Sequence, residues 1–130
     1  MKVGIDLVMV ERFRKIAENL EKSKKIFTDC EIKYINSKRG NLDDSQKLPP
    51  FLKTTAGIYA AKEAVLKALG VGIGNGIGLN EVEIDHDLMG ACVVKLTKNA
   101  EKEQKKHKIS QILVNISHDG DYATAICVLT

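Results

Sequence analysis

The sequence predicts an α+β fold in one small domain, and three observations support this class. The spacing of apolar residues gives the element order βαααββαββ, in which strands and helices are partly segregated. Neighbouring strands joined by short turns imply antiparallel pairing. The 130 residues, 44% of them hydrophobic and 28% charged, suit a single globular domain. We therefore expect residues 1–130 to form an antiparallel sheet packed against a long helix.

One strand and two helices are predicted in the first third of the chain. Apolar side chains alternate with small or polar ones over residues 2–8, which is typical of a strand. Residues 10–25 carry an apolar stripe at helical spacing and predict an amphipathic helix. Thr28 and Glu31 have the spacing of a capping box, so a second helix is expected from there to about Ser37.

A long helix is predicted in the middle of the chain, after a polar loop at 41–50 that ends in two prolines. Ala, Lys, Glu and Leu dominate this helix, and we expect it to end at Leu69 because a glycine follows. Glu63 and Lys67 are four residues apart and share one face, with Tyr59 one turn earlier. The core stripe is expected on roughly the opposite side, at Ile58, Ala61, Val65 and Leu69.

The second half of the chain is predicted to contain four strands and one helix. The strands cover residues 81–85, 92–96, 111–117 and 122–129, with turns at 87–90 and 119–121. Thr97 is expected to cap a short charged helix that ends near Lys106. The last two strands are unusually apolar, and one chain would have difficulty covering both of their faces.

A glycine-rich segment, residues 70–78, follows the long helix directly. A dinucleotide-binding fingerprint follows a strand instead, so this context argues against one. The interleaved apolar residues favour a packed loop that another group approaches closely. The Glu63–Lys67 pair alone is typical of ordinary surface charge pairs. Together, a carboxylate, an ammonium group and exposed backbone amides suit a metal-bound phosphate ester.

Three short motifs stand at the two ends and in the middle of the chain. They are VGIDLV at residues 3–8, AKEAVLK at residues 61–67 with the glycines that follow, and ISHD at residues 116–119. In this order and spacing they resemble the motifs of the holo-[acyl-carrier-protein] synthases, the short branch of the 4'-phosphopantetheinyl transferases. The resemblance covers nearly the whole chain. Asp119 departs from it, because relatives often carry Thr or Ser after the histidine.

The resemblance implies a Mg²⁺-dependent enzyme of fatty acid biosynthesis. Such an enzyme transfers the 4'-phosphopantetheine group of coenzyme A to a serine of apo-acyl carrier protein and releases adenosine 3',5'-bisphosphate. The implied site residues are Asp6 and Glu63 for the metal, Glu63 and Lys67 for catalysis, and Lys62, Gly72 and His118 for coenzyme A. From the residues alone, Asp6 also suits a capping acid or an exposed edge position, and Lys62 also suits a solvent-facing side chain.

The resemblance also implies a homotrimer with active sites between neighbouring subunits, and an acyl carrier protein as the macromolecular partner. Carrier proteins of this class are strongly acidic. Basic side chains within residues 10–25 would form the docking surface, and a solvated helix face is the alternative interpretation.

Composition argues against other function classes. A net charge of +3 and an aromatic content of 5%, without Trp, argue against a nucleic-acid-binding protein. No apolar run approaches the roughly 20 residues of a membrane span, so we expect a cytoplasmic protein. Its cysteines at 30, 92 and 127 are expected to be reduced and at least partly buried. A catalytically silent carrier-protein or nucleotide-binding module is the alternative function, against which the presence of Asp6, Glu63 and Lys67 argues.

Overall fold

The computed structural model describes residues 1–40, 47–72 and 75–130, and it has the predicted α+β architecture. The strands are β1 (Lys2–Met9), β2 (Val82–His86), β3 (Cys92–Leu96), β4 (Ile112–Asp119) and β5 (Tyr122–Leu129). The α-helices are α1 (Arg14–Glu18), α2 (Asp29–Asn36), α3 (Pro50–Leu69) and α4 (Lys98–Lys106), and short 3-10 turns occupy residues 10–13, 20–22 and 79–81. This order confirms the predicted sequence of strands and α-helices.

The strands form two antiparallel sheets, as the short turns predict. β5 pairs with both β1 and β4, which gives the order β1-β5-β4, and β2 pairs with β3 in a separate hairpin. Asp6 lies opposite Ala125, which in turn lies opposite Ile116. α3 packs along the inner face of the three-stranded sheet. Inward-facing residues of β1 therefore meet α3.

α3 is the centre of the core because it is buried on nearly every side. It begins with Pro50 in the first turn, where a backbone N–H would have had no helical partner. It ends at Gly70, whose φ of 78° is left-handed. The predicted core stripe is buried, and so are Ala60, Ala64 and Ala68 on the side that faces the sheet. These small side chains allow close packing of helix and strands.

The prediction of one continuous helix over residues 10–25 is wrong. The chain forms a 3-10 turn, then the five-residue α1, then a second 3-10 turn. Asn19 leaves the helical conformation, with φ −132° and ψ 44°, and its side chain donates a hydrogen bond to the carbonyl oxygen of Lys15. The Ser23 hydroxyl donates in the same way to the carbonyl oxygen of Asn19. Such local side-chain hydrogen bonds compete with the helical backbone pattern.

The capping box predicted at the start of α2 is confirmed. The Glu31 N–H donates to Thr28 Oγ1, and the Thr28 N–H donates to Glu31 Oε1 at 2.8 Å. Residues 41–46 of the loop predicted at 41–50 lie outside the described residues.

Thr97 lies at the N-cap of α4, as predicted, but the prediction that it caps the helix is wrong. Thr97 occupies the N-cap position, but its side chain makes no capping hydrogen bond. The carboxylate of Glu81 accepts the N–H groups of Asn99 at 2.7 Å and Ala100 at 3.4 Å instead. A distant acid therefore caps this helix, which no local sequence pattern indicates.

The outer face of the three-stranded sheet is apolar and exposed. Its large apolar side chains are between 42% and 64% exposed, and they are Val3, Ile5, Leu7, Met9, Leu113, Tyr122 and Ile126. The pairing register places Ile5 directly beside Ile126. One chain leaves this face uncovered, as the apolar character of the last two strands predicts.

Two expectations from composition can be compared with the described residues. Cys127 is buried, Cys30 and Cys92 are partly buried, and all three are free thiols, as predicted. Among the helices that the structure describes, none combines the length and the apolar character that crossing a membrane requires.

Candidate active site

Lys67 of α3 and Asp6 of β1 meet at the inner face of the sheet. Lys67 Nζ lies 2.8 Å from Asp6 Oδ1 and also donates to the carbonyl oxygen of Ile5 at 3.0 Å. Because the two residues are 61 positions apart, only the packing of α3 on β1 brings the first and second motifs together. The Asp6 side chain is 14% exposed and the Lys67 side chain 53% exposed. The pair therefore opens to solvent on the lysine side.

Glu63 lies one helical turn before Lys67 and is partly buried. Its Oε1 atom is buried and has no hydrogen-bond partner among the described residues. Burial raises the pKa of Glu63, the neighbouring Asp6 carboxylate raises it further, and the hydrogen bond from Tyr59 and the charge of Lys67 oppose the rise. A buried carboxylate oxygen without a donor is unfavourable. Glu63 and Asp6 therefore form a two-carboxylate site in which Lys67 pairs with Asp6 and leaves Glu63 Oε1 without a partner among the described residues.

Gly4 makes the close approach of α3 and β1 possible. A Cβ atom at this position would overlap the carbonyl oxygen of Ala64 and would lie 2.6 Å from the backbone nitrogen of Ala68. Any side chain here would push β1 away from the helix. It would also displace Asp6, two residues further along the strand. The glycine of the first motif is therefore a packing requirement of the site.

The prediction that Lys62 contacts coenzyme A is wrong, because Lys62 is fully buried on a different side of α3. Its Nζ lies 2.6 Å from Glu31 Oε1 and donates to the carbonyl oxygens of Leu79 at 3.0 Å and Val82 at 2.7 Å. All three donors of the ammonium group are thus used inside the protein. Burial lowers the pKa of Lys62 and raises that of Glu31, and their mutual attraction opposes both shifts. The alternative of a solvent-facing Lys62 is wrong for the same reason.

The other two residues predicted to contact coenzyme A lie at opposite ends of α3. Gly72 is exposed just beyond the C-terminal end of the helix. His118 of β4 lies beside the N-terminal half, where its Nε2 is 2.9 Å from the carbonyl oxygen of Lys53 and where Gly57 leaves room for the ring. Gly57 is about 18 Å from the end of the helix along its axis. One chain therefore does not bring His118 together with Gly72, whereas Glu63 is six residues from Gly57, about 9 Å along the axis. Residues 73–74 of the glycine-rich segment lie outside the described residues.

Sequence reasoning placed Tyr59 one turn before Glu63 but assigned it no contact, and it missed the partner of Lys62. Burial, and then the charges of Glu63 and Asp6, raise the pKa of Tyr59, so its phenol stays protonated and donates to Glu63. The four-residue spacing of Tyr59 and Glu63 is a signal that could have revealed this contact. The pairing of Glu31 with Lys62 has no such signal, because the two residues are far apart in the sequence and the capping box already accounts for Glu31.

The residues of this site fit a divalent cation. Asp6 and Glu63 offer carboxylate oxygens from adjacent elements, and Glu63 Oε1 has no donor within residues 1–40, 47–72 and 75–130. Mg²⁺ is typically held by one or two protein carboxylates, with phosphate oxygens and water completing its shell. No group of three or more His, Cys, Asp or Glu side chains suited to a metal occurs among the residues described. Further ligands would therefore come from substrate and solvent.

Comparison with known proteins leads to the same family as the motifs. The family model of the 4'-phosphopantetheinyl transferase superfamily matches residues 2–127. A holo-[acyl-carrier-protein] synthase of Caldicellulosiruptor saccharolyticus is 39% identical over 126 residues, which cover 97% of this chain and 93% of that protein. The corresponding protein of Finegoldia magna is 40% identical over 130 residues, which cover 99% of this chain and 95% of that protein.

Solved structures are similar over the same length. The crystal structure of the Helicobacter pylori holo-[acyl-carrier-protein] synthase in complex with coenzyme A matches with a TM-score of 0.77 and 26% identity. The match covers 98% of this chain and 99% of that one. Sequence similarity, fold and motif order thus agree, and the chain belongs to the 4'-phosphopantetheinyl transferase superfamily, within its holo-[acyl-carrier-protein] synthase family.

Proposed function

We propose that this protein transfers the 4'-phosphopantetheine group of coenzyme A to a serine of apo-acyl carrier protein, as a step that supplies fatty acid biosynthesis. The serine oxygen forms a bond to the β-phosphorus of coenzyme A, and the bond from that phosphorus to the bridging oxygen breaks. Adenosine 3',5'-bisphosphate leaves with the bridging oxygen. Full-length similarity to proteins that carry the synthase name supports this assignment.

The observation that carries the proposal is the convergence of Asp6, Glu63 and Lys67. Two carboxylates and an ammonium group from the first and second motifs meet beside the end of a glycine-rich segment. This donor set suits a pyrophosphate that arrives with a metal ion. A catalytically silent module would not require an unpaired buried carboxylate oxygen next to a second carboxylate.

We assign chemical roles from the surroundings of each side chain. Lys67 is half exposed, so it can turn from Asp6 to a phosphate, where it stabilises negative charge on the departing bisphosphate. Glu63 accepts the serine proton, because its Oε1 has no donor in the structure. Asp6 and Glu63 would hold Mg²⁺. When bound, this ion neutralises charge on the pyrophosphate.

We further propose that Gly72 and His118 contact coenzyme A from two neighbouring subunits of a homotrimer. His118 and Gly72 lie beside opposite ends of α3, about 18 Å apart along its axis, so we assign their contacts with one nucleotide to two neighbouring copies. The exposed apolar outer face of the sheet supports self-association, because a contiguous apolar surface of this kind is typical of an interface. The number three comes from the family resemblance.

The carrier protein is the remaining partner. Basic side chains of residues 10–25 stay exposed, although the helix is broken, and they adjoin β1, which carries Asp6. We propose that this surface docks the acidic carrier protein. The cytoplasm, where coenzyme A and newly made carrier proteins are both present, is the proposed location.

Mass spectrometry of purified apo-acyl carrier protein tests the proposed function. After incubation with this protein, coenzyme A and Mg²⁺, the carrier protein should gain the mass of one phosphopantetheine group on a single serine. A carrier protein whose acceptor serine is replaced by alanine is the matched control and should gain nothing. Binding of coenzyme A without any mass gain would favour the silent nucleotide-binding module instead.

A further inference from the structure

The chain returns from the glycine-rich segment to β2 through residues 75–81, named here the return segment. It contains Gly76, whose φ of 79° is left-handed, the buried Ile77 and the 3-10 turn at 79–81. Glycines restrict a backbone less than other residues do. The conformation of this segment therefore depends on side-chain contacts, which come from Lys62 of α3, from Asn99 of α4 and from Glu81 within the segment.

Lys62 of α3 holds the end of the return segment. Its ammonium group donates to the carbonyl oxygens of Leu79 and Val82. The same Nζ atom lies 2.6 Å from Glu31 Oε1. The other oxygen of Glu31 accepts the N–H of Ile84 at 2.7 Å. Both charged side chains are fully buried. A buried pair with this many hydrogen bonds has one geometry and fixes the backbone that it contacts.

Glu81 and Asn99 hold the segment from the side of α4. Glu81 Oε2 accepts the N–H of Gly78 at 2.7 Å, while Oε1 accepts the N–H groups at the start of α4. Burial acts against ionisation of Glu81, but these backbone donors prevail and lower its pKa. The amide Nδ2 of Asn99 donates to the carbonyl oxygen of Gly76 at 2.9 Å. The return segment is thus tied to α3 through the carbonyl oxygen of Leu79 and to α4 through the carbonyl oxygen of Gly76, while Glu81 accepts the Gly78 N–H within the segment.

The contacts that Lys62, Glu81 and Asn99 make with the return segment are named here the frame. From the frame we infer that these three side chains are positioning residues for coenzyme A. They hold the return segment, whose Asn75 N–H donates to the carbonyl oxygen of Gly72 at 3.4 Å, so that Gly72 keeps the geometry that receives a phosphate group. The inference rests on the proposed function, because it takes coenzyme A as the ligand. It gives Lys62 an indirect role, through Leu79 and Val82, in place of the direct ligand contact that its motif suggests.

The main test compares two frame variants with one control variant in the full-length protein. Asn99→Ala removes a single hydrogen bond from an exposed side chain. The double variant Glu31→Gln/Lys62→Met removes the buried charges together, because replacing a whole buried pair is tolerated far better than breaking it. Val10→Ala truncates a fully buried core residue next to the other end of β1, away from the frame. It loses stability without touching the return segment.

Steady-state kinetics should separate positioning from general destabilisation. We expect KM for coenzyme A to rise about 3-fold in Asn99→Ala and about 10-fold in the double variant, with kcat within about 2-fold of the wild type. KM for the carrier protein should not change. Val10→Ala should leave KM for coenzyme A as in the wild type. An unchanged KM for coenzyme A in Asn99→Ala would overturn the inference even if the double variant did not fold.

Hydrogen–deuterium exchange provides a readout that does not depend on activity. In the protein without ligand, peptides from residues 75–81 should exchange faster in the frame variants than in the wild type, whereas peptides from β4 should not. Equal exchange in all variants would overturn the inference. Failure of the wild type to modify a carrier protein would overturn the proposed function instead, and the exchange experiment would still report on the frame.

Discussion

Lys62 and Lys67 leave the same helix five residues apart, and they have opposite surroundings. Lys62 points away from the three-stranded sheet and is fully buried. Its ammonium group donates to Glu31 and to two carbonyl oxygens, which uses all three N–H groups. Lys67 points to β1, is about half exposed, and pairs with Asp6. Both belong to one motif, so the motif alone does not distinguish a ligand-binding lysine from a structural one.

The difference shows that burial, rather than residue type, decides what a charged side chain can do. A lysine that keeps solvent access can exchange one partner for another at modest cost. A lysine whose N–H groups are all hydrogen-bonded in the interior cannot move to a ligand, because its partner carboxylate would then be buried without a counter-charge. α3 therefore has a chemical side towards Asp6 and a structural side towards Glu31, and each variant below affects one of them.

The largest expected effect on stability is that of Lys62→Ala. This change leaves Glu31 buried and unpaired, so the free energy of unfolding should fall by about 3–5 kcal/mol. Lys67→Ala removes a half-exposed pair and should change it by less than about 1 kcal/mol. Urea denaturation of both variants provides the measurement. Equal losses would mean that the two sides of α3 do not differ as described.

The largest expected effect on activity is that of the carboxylates on the chemical side. Asp6→Ala and Glu63→Ala should each reduce transfer about 100-fold or more, because each removes a group that supports the transition state. The fold should persist, since Gly4 and not these side chains sets the packing of β1 on α3. Transfer assays over a range of Mg²⁺ concentrations, with circular dichroism as the folding control, test this. Near-normal rates at low Mg²⁺ would remove the residue from the metal site.

The sequence was sufficient to predict the element order, the antiparallel pairing and the capping box, because periodicity and local hydrogen bonds determine them. It was not sufficient for the continuity of residues 10–25, since Asn19 competes with the helix through its own side chain. Nor did it reveal the surroundings of Lys62, which depend on a contact with the distant Glu31. Local rules could have been applied more fully at Asn19, whereas long-range pairs require the folded chain.

An intermediate effect on transfer is expected from a substitution on the outer face of the three-stranded sheet. This face is exposed, whereas the inner face is buried against α3. Ile126→Lys should dissociate the proposed trimer, because it places a charge within the exposed apolar patch. Transfer should fall with it, since His118 would no longer reach the site of a neighbour. Val93→Lys, at an apolar position of β3 with similar exposure, is the matched control and should leave the oligomer intact. Sedimentation velocity gives the mass, and a monomeric wild type with full activity would contradict the shared site.

The smallest effects are expected at the basic surface of residues 10–25, whose cations differ in their freedom to meet a partner. Arg14 is held by both oxygens of Glu11 at 2.8 Å, whereas Lys15 and Lys22 are exposed and make no ion pair among the described residues. Reversing the charge of Lys15 and Lys22 together should therefore raise KM for the carrier protein about 5-fold.

This docking prediction has an electrostatic signature that a folding defect lacks. The increase in KM should shrink as salt is raised from low to physiological concentration, because exposed charges are screened over about 10 Å. KM for coenzyme A should stay unchanged, since we propose that its phosphates meet Lys67 and not this surface. The double reversal Lys105→Glu/Lys106→Glu, on α4, is a control of equal charge change and should have no effect. A loss that is equal for both substrates, or independent of salt, would leave residues 10–25 as a solvated surface.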